Sequence, residues 1–178
     1  MKQNIVLIGF MGCGKTTIGT ALAEKMEYQF LDTDAQIVEK EGRSISDIFS
    51  KEGESYFRDI ETKTIEELSL SLEKTIVSTG GGLPLRECNG DILKRLGFVV
   101  FLKVEKETVL KRLEGDTTRP LLQGEDVESK VENLLTFRNP IYEYTAHMVV
   151  STDGKTVEEI VEEIIRNYNI MIMPESEA

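Results

Sequence analysis

Short apolar runs alternate along the chain with longer segments in which apolar positions repeat every three to four residues. The short runs predict five strands, at 4–8, 29–31, 75–78, 98–103 and 148–151. Strands that alternate with helices are typical of a parallel sheet. The fourth run, Phe-Val-Val-Phe-Leu at 98–102, is apolar without alternation, so we expect helices on both faces of the sheet.

The helical segments show amphipathic spacing. In the segment after the first strand, Ile18, Leu22 and Met26 recur every four residues. The last segment has one apolar stripe and an acidic opposite face, and the stripe consists of Val157, Ile160, Val161, Ile164, Ile165 and Tyr168. These stripes predict helices that pack on the sheet.

The 178 residues fit one domain, which we place at 1–173, followed by a frayed tail at 174–178. We find no internal repeat or interdomain linker. Only 44–56, which is still partly helical, and 114–126 lack a core pattern over a long stretch, so they are candidates for mobile segments.

Composition narrows the possible partners. Lysine and arginine number 21 against 32 acidic residues, and the resulting charge of -11 disfavours a nucleic-acid backbone or an anionic membrane. No apolar run approaches the roughly 20 residues of a membrane span, so we expect a cytoplasmic protein. The two cysteines, Cys13 and Cys88, indicate neither a disulfide nor catalysis, and we expect the single His147 to be structural rather than a base.

A phosphate-loop motif follows the first predicted strand. Residues 9–16, Gly-Phe-Met-Gly-Cys-Gly-Lys-Thr, fit the pattern GxxxxGK[ST] and precede a helical segment. In such loops backbone N–H groups point at phosphate oxygens, Lys15 reaches the terminal phosphates and the Thr16 hydroxyl ligates magnesium. The alternative is a glycine-rich turn that binds nothing, but the order of strand, loop and helix favours a nucleotide site.

Two aspartates follow the second predicted strand. The third strand, where a metal-binding carboxylate is usual, instead runs from Ser78 into Thr79 and three glycines. Asp32 and Asp34 are the best replacements, because residues just beyond the carboxyl ends of parallel strands face the ligand crevice. Their spacing lets one carboxylate join the magnesium shell and the other address an acceptor hydroxyl. Alternatively, Asp34 only caps a helix that begins at Ala35.

The glycine triplet Gly80, Gly81 and Gly82 ends the third strand. Three residues without a Cβ permit close approach of the backbone to a ligand, and they offer amide donors. A tight turn without a ligand is the alternative interpretation.

One arginine lies in a segment that is poorly suited to packing. Arg119 belongs to 114–124, which is rich in Gly, Asp, Thr and Pro. We interpret this segment as a lid that closes over the nucleotide and brings one cation to the transferring phosphoryl group. The alternative is that Arg119 forms only a surface ion pair.

Two further arginines are candidates for substrate binding. The planar guanidinium groups of Arg58 and Arg138 suit a substrate carboxylate. The alternative is that each forms a surface ion pair, in which case Arg58 would pair with Glu54 or Asp59.

Taken together, the motifs resemble those of shikimate kinases. The resemblance rests on seven segments spread over nearly all of the chain: GFMGCGKTTIG, FLDTD, SISDIFSKEGESYFRDIE, TGGG, RPLL, RNPIYE and STD. It implies a nucleoside-monophosphate-kinase-like α/β fold with a five-stranded parallel sheet in the order 2-3-1-4-5 and a mobile lid at about 112–126. It also implies transfer of the ATP γ-phosphoryl group to the 3-hydroxyl of shikimate, with Mg²⁺, in chorismate and aromatic amino-acid biosynthesis.

The resemblance assigns the nucleotide side of the site. The phosphate contacts it implies are Gly12, Cys13, Gly14, Lys15, Thr16 and Thr17. Among these, Lys15 is catalytic together with the lid residue Arg119, and Thr16 shares the magnesium shell with Asp32. The adenine clamp is assigned to Arg112 and Lys155.

The resemblance also assigns the acceptor side, with a substrate-binding segment at about 33–61. The substrate contacts it implies are Asp34, Arg58, Gly80, Gly81, Gly82 and Arg138. Both arginines bind the shikimate carboxylate, and Asp34 holds the acceptor hydroxyl as the proposed base. The lid sequence 114–118 lacks the extra basic residues of many relatives, so nucleotide affinity is expected to differ rather than the reaction.

Two other classes remain open on the sequence. A gluconate or nucleotide kinase would share the loop and lid but need a different acceptor pocket. A nucleotide-dependent switch would need a guanine-reading NKxD motif, which the chain lacks. For partners we expect shikimate and ATP, with no nucleic acid, no membrane and a monomeric state.

Overall fold

The computed structural model describes residues 3–114 and 126–172. Strands and helices alternate along them in the order β1 (Ile5–Ile8), α1 (Lys15–Met26), β2 (Gln29–Asp32), α2 (Thr33–Glu41), α3 (Ile45–Ser71), β3 (Thr75–Ser78), α4 (Glu87–Leu96), β4 (Phe98–Lys103), α5 (Lys106–Leu113), α6 (Val127–Thr145), β5 (Met148–Ser151) and α7 (Val157–Ile172). All five predicted strands are present, and their bounds differ from the prediction by at most one residue.

The five strands form one parallel sheet in the order β2-β3-β1-β4-β5, as expected. Helices cover both faces: α1 packs with α7, whereas α4 packs with α3 and α6. Strand β1 lies between β3 and β4, so the chain changes direction across the sheet at this point. In open parallel sheets such a switch point opens a crevice at the carboxyl ends of the strands.

Most of the apolar positions that predicted the strands and the last helix are buried in the core. Strands β1 and β4 are buried on both faces from Ile5 to Ile8 and from Phe98 to Leu102. The apolar stripe of α7 also faces the core, where Ile160, Val161, Ile164 and Tyr168 are buried. His147 is structural, as predicted: its Nδ1 accepts a hydrogen bond from the Val99 N–H at 2.9 Å.

A second, smaller core joins α2 to α3. It contains Ile37, Ile48 and Phe57, with Ile45 and Phe49 packed at its side. The segment 44–56, which lacked a core pattern in the sequence, is largely helical. Within it, Gly53 interrupts α3 with φ 85° and ψ 172°. This conformation strongly favours glycine.

None of the helices within the described ranges is both long enough and apolar enough to cross a bilayer.

Candidate active site

A cavity of about 580 Å³ lies at the carboxyl ends of the strands. It is lined by 11–18 of the phosphate loop and α1, by Asp32 and Asp34, by 78–81, and by residues from the other side of the sheet that include Arg112, Thr152 and Lys155. Most of the predicted site residues therefore meet in one place. Arg119 lies outside the described residues.

The phosphate loop curls because glycines occupy positions that disfavour a side chain. Gly9 has φ 143°, and a Cβ on it would lie 2.6 Å from the Leu102 carbonyl oxygen. Gly14, with φ 96°, caps α1 in the left-handed region. The ammonium of Lys15 is held inside the loop, where it donates to the carbonyls of Gly9 at 2.8 Å and Phe10 at 3.0 Å. The loop thus gathers cationic and N–H donors at the start of a helix.

Asp32, and not Asp34, caps the second helix. Its Oδ1 accepts from the N–H groups of Asp34 at 3.0 Å and Ala35 at 3.2 Å, and its Oδ2 accepts from the Ser78 hydroxyl at 2.9 Å. The alternative interpretation of Asp34 as a cap was therefore wrong, because α2 begins at Thr33, two residues earlier than expected. Three donors fix the Asp32 carboxylate at the cavity wall.

The glycine turn after β3 approaches two carboxylates. A Cβ on Gly80 would lie 2.5 Å from Oδ1 of Asp34 and 2.8 Å from Oε1 of Glu61. The Gly80 N–H donates to the Thr33 hydroxyl at 3.1 Å, so this predicted amide donor is engaged within the protein. Residue 80 must therefore be glycine because Asp34 and Glu61 pack against it, and not only because it lies in a tight turn.

Arg58 lies against the other end of the turn. A Cβ on Gly82 would overlap its guanidinium. Arg58 donates to Glu61 at 2.6 Å and to Glu54 at 2.8 Å. The predicted ion pair with Glu54 is thus present, whereas Asp59 pairs with a different arginine. The Arg58 guanidinium therefore pairs with carboxylates of its own helix and also lies against the glycine turn.

Arg138 is buried, with 4% of its surface exposed. Its guanidinium lies over the Phe10 ring, 5.6 Å from the centroid, and its Nη1 lies 3.8 Å from where a Cβ of Gly81 would be. The Arg138 Nε makes no hydrogen bond within the described residues. A buried guanidinium with a spare donor is suited to an anionic ligand. Arg58 and Arg138 thus converge on one turn.

Glu61 is a buried carboxylate beside the glycine turn that the sequence analysis missed. It is 1% exposed, and its carboxylate lies between Arg58 and the glycine turn. Burial raises the pKa of Glu61 from 4.5 to about 7; Arg58 opposes this shift and Asp34 adds to it. The available signal was its spacing, because a carboxylate three residues after Arg58 shares a helix face with it.

The predicted adenine side is also close to the phosphate loop. Arg112 donates to the Gly12 carbonyl at 2.8 Å, which ties α5 to the loop. Lys155 lines the same cavity and forms an ion pair with Glu163 at 2.6 Å. Among the residues that the structure describes, no group of three or more His, Cys, Asp or Glu side chains forms a metal site by itself.

The raised pKa of Glu61 predicts a pH-dependent stability. Between about pH 4.5 and 7 the folded state holds a proton that the unfolded state releases, so the free energy of unfolding should fall as pH rises. The shift corresponds to about 3 kcal/mol. Denaturant unfolding at pH 5 and 8 should show that Glu61→Gln loses most of this fall. Glu54→Gln, which removes the exposed partner of Arg58, should keep it. Parallel pH dependences for wild type and Glu61→Gln would exclude the assignment.

Comparison with known proteins agrees with this geometry. A family model described as shikimate kinase matches residues 11–169. A shikimate kinase of Thermodesulfovibrio yellowstonii is 44% identical over 93% of this chain and 95% of its own length. One from Sulfurihydrogenibium sp. is 47% identical over 92% of this chain and 96% of its own length.

Solved structures give the same result. A shikimate kinase from Acinetobacter baumannii in complex with shikimate superposes with a TM-score of 0.91 and 38% identity, covering 98% of this chain and 97% of that one. The shikimate kinase of Aquifex aeolicus gives a TM-score of 0.79 and 36% identity, with coverages of 94% and 97%. The resemblance predicted from the motifs is confirmed, and the chain belongs to the shikimate kinases, a family of ATP-dependent kinases.

Proposed function

We propose that the protein transfers the γ-phosphoryl group of magnesium-bound ATP to the 3-hydroxyl of shikimate, giving shikimate 3-phosphate and ADP. This reaction belongs to chorismate and aromatic amino-acid biosynthesis. The observation that carries the proposal is the continuity of the site: the phosphate loop and Asp34 line one cavity, and the glycine turn at its edge touches two arginines. The A. baumannii relative, which is described in complex with shikimate, supports the choice of acceptor.

The phosphate loop is the proposed triphosphate site. The first N–H groups of α1, at Lys15, Thr16 and Thr17, have no carbonyl of a preceding helical turn to bind, and these three residues line the cavity. On nucleotide binding, the Lys15 ammonium exchanges the Gly9 and Phe10 carbonyls for phosphate oxygens. Arg112, with Lys155, flanks the adenine end.

Thr16 and Asp32 fit an indirect magnesium site. Both line the cavity, and Asp32 already accepts three hydrogen bonds, so its remaining lone pairs suit the water shell of the ion rather than a full protein cage. Mg²⁺ commonly keeps several waters and binds through one or two protein groups plus phosphates. When bound, it neutralises charge on the β- and γ-phosphates.

The glycine turn and its neighbours are the proposed acceptor pocket. Arg58 and Arg138 bind the shikimate carboxylate, and the missing side chains at Gly80 and Gly82 let Asp34 and Arg58 lie directly against the backbone of the turn. Asp34 lies at the opposite end of the turn, where it orients the acceptor hydroxyl toward the phosphate loop. The two ends of the turn thus bind opposite ends of the substrate.

Positioning is the main source of catalysis in this proposal. In a loose phosphoryl-transfer transition state the acceptor proton leaves late, so Asp34 contributes first by orientation and then as the proton acceptor. Lys15 stabilises the charge on the transferring group. Arg119 and the lid at about 112–126 are proposed to close over the nucleotide, add one more cation and exclude water that would compete with the acceptor.

The remaining proposals concern the whole chain. We propose a single kinase domain at 1–173 that acts as a cytoplasmic monomer and has no nucleic-acid or membrane partner. The net charge of -11 supports the absence of anionic macromolecular partners, because it opposes their approach.

Acceptor-dependent ADP formation tests the function. With Mg-ATP, shikimate should stimulate ADP release, while gluconate and nucleoside monophosphates should leave the basal rate unchanged. Mass spectrometry should find one phosphate added to shikimate. Equal stimulation by gluconate or a nucleotide would refute the acceptor assignment, and no stimulation by any acceptor would favour a nucleotide-binding switch.

Removal of the loop cation should abolish turnover. Lys15→Ala is expected to lower kcat by at least about 10²-fold, because the transferring phosphoryl group loses its fixed charge. Lys25→Ala is the matched control, since Lys25 lies on the same helix but pairs with Glu162 on the surface. Circular dichroism should show both variants folded. A kcat for Lys15→Ala within twofold of the Lys25→Ala value, roughly the scatter between surface variants, would remove Lys15 from the mechanism.

Removal of a buried arginine should act on acceptor affinity. Arg138→Ala is expected to weaken shikimate binding by about 10²-fold or more, because a buried carboxylate loses its partner. Arg86→Ala, which removes a partly exposed arginine paired with Asp59, should leave the affinity unchanged. Calorimetric titration with shikimate measures both. An unaltered dissociation constant for Arg138→Ala would exclude it from the pocket.

A further inference from the structure

Two buried hydroxyl groups, those of Thr33 on α2 and Tyr142 on α6, bind the backbone of the glycine turn. The Thr33 hydroxyl accepts from the Gly80 N–H at 3.1 Å, and the Tyr142 hydroxyl donates to the Gly81 carbonyl at 2.6 Å. Both side chains belong to fully buried residues. Two peptide groups of the turn, separated by the Gly80–Gly81 peptide, are therefore bound by side chains from two different helices, α2 and α6.

Thr33 holds the carboxylate end of the turn. It stands between Asp32, which caps α2, and Asp34, which faces Gly80. The bond from Gly80 to Thr33 sets the distance between the turn and Asp34. Because Gly80 has no Cβ, the Asp34 carboxylate can lie directly against its Cα. A shift of the turn would change the space in which Asp34 sits.

Tyr142 holds the guanidinium end. Its ring packs on Phe101 of β4, with the ring centroids 5.1 Å apart. This packing fixes the position of the phenol hydroxyl. Burial raises the pKa of Tyr142 to about 12, while interaction with the Arg138 guanidinium opposes the rise, and the phenol stays a neutral donor at ordinary pH. Tyr142 follows Arg138 by one helical turn. It therefore links the turn to the arginine.

We infer that Thr33 and Tyr142 are positioning residues, and that their two hydrogen bonds fix the Gly80–Gly82 turn between the carboxylate and guanidinium halves of the acceptor pocket. The inference rests on the proposed function. Neither side chain needs to touch the substrate, since each acts through the backbone and through the charged group beside it.

The two residues have separable effects. Loss of the Thr33 bond frees the end of the turn at Asp34, so the acceptor hydroxyl is misplaced in the transition state and kcat falls. Loss of the Tyr142 bond frees the end at Arg138, so the acceptor carboxylate is bound less well and KM for shikimate rises. A purely structural role would lower stability without this division between kcat and KM.

Tyr142→Phe tests the guanidinium half. It should raise KM and Kd for shikimate about tenfold, the effect of one buried hydrogen bond, with kcat within about threefold of wild type. Tyr168→Phe is the matched control, because it removes another buried phenol: Tyr168 lies on α7 and packs against Phe98 of β4. In an Arg138→Ala background, Tyr142→Phe should cause no further loss of shikimate affinity.

Thr33→Val tests the carboxylate half. It should lower kcat about tenfold and leave Kd for shikimate within about threefold, because misplacement acts on the reacting hydroxyl. Thr33→Ser keeps the hydroxyl and should restore most of kcat. Thr145→Val is the control, since it removes a buried hydroxyl that is hydrogen-bonded within its own helix.

Thermal unfolding of each variant shows whether it is folded. If Tyr142→Phe does not fold, the Thr33 variants alone test the inference.

Equal, small effects of Thr33→Val, Tyr142→Phe and their controls on kcat and KM would overturn the inference. So would additive losses when Tyr142→Phe is combined with Arg138→Ala. Such results leave the proposed function standing if Arg138→Ala alone still abolishes tight shikimate binding. An unaffected Arg138→Ala would instead refute the acceptor pocket itself.

Discussion

The site depends on direct contact between the backbone of residues 80–82 and charged side chains. Asp34 and Glu61 lie where a Cβ of Gly80 would be, and the Arg58 guanidinium lies where a Cβ of Gly82 would be. Buried charges are tolerated only when they are paired and hydrogen-bonded. Here Arg58 donates directly to Glu61 at 2.6 Å, and this ion pair packs against the uncharged turn. A side chain at 80 or 82 would overlap the carboxylates or the guanidinium and displace them.

The sheet brings this turn to the nucleotide. Strand β3 pairs with β1 in parallel register, so the glycine turn that follows β3 and the phosphate loop that follows β1 leave the sheet at the same edge. Strand β2 adds Asp32 at that edge because it pairs with β3 on the other side. In the proposed reaction the phosphoryl group therefore moves from the loop after β1 to an acceptor beside the turn after β3. Although the net charge is -11, the cations Lys15, Arg112 and Lys155 line the cavity at this edge of the sheet.

The fold and the nucleotide loop could be predicted because their signals are local. Apolar runs give the strands, and the loop motif requires its residues in one short segment. The contacts of Glu61, Thr33 and Tyr142 could not be predicted, because each meets the turn only after α2, α3 and α6 pack around it. The alternative that Asp34 caps α2 was wrong for a related reason: Asp32 ends a strand and caps a helix at once, and the sequence does not show where one element ends and the next begins.

The most direct test of this account is shikimate binding to Gly82→Ala. Gly82 has φ −88° and ψ −15°, which any residue adopts, so alanine there changes only the space beside Arg58. Calorimetry should show shikimate affinity weakened by at least about tenfold, because the guanidinium is displaced, with affinity for an ATP analogue within about twofold of wild type. Gly90→Ala on α4, where a Cβ meets only ordinary contacts, should keep both affinities. Wild-type shikimate affinity in Gly82→Ala would contradict the account.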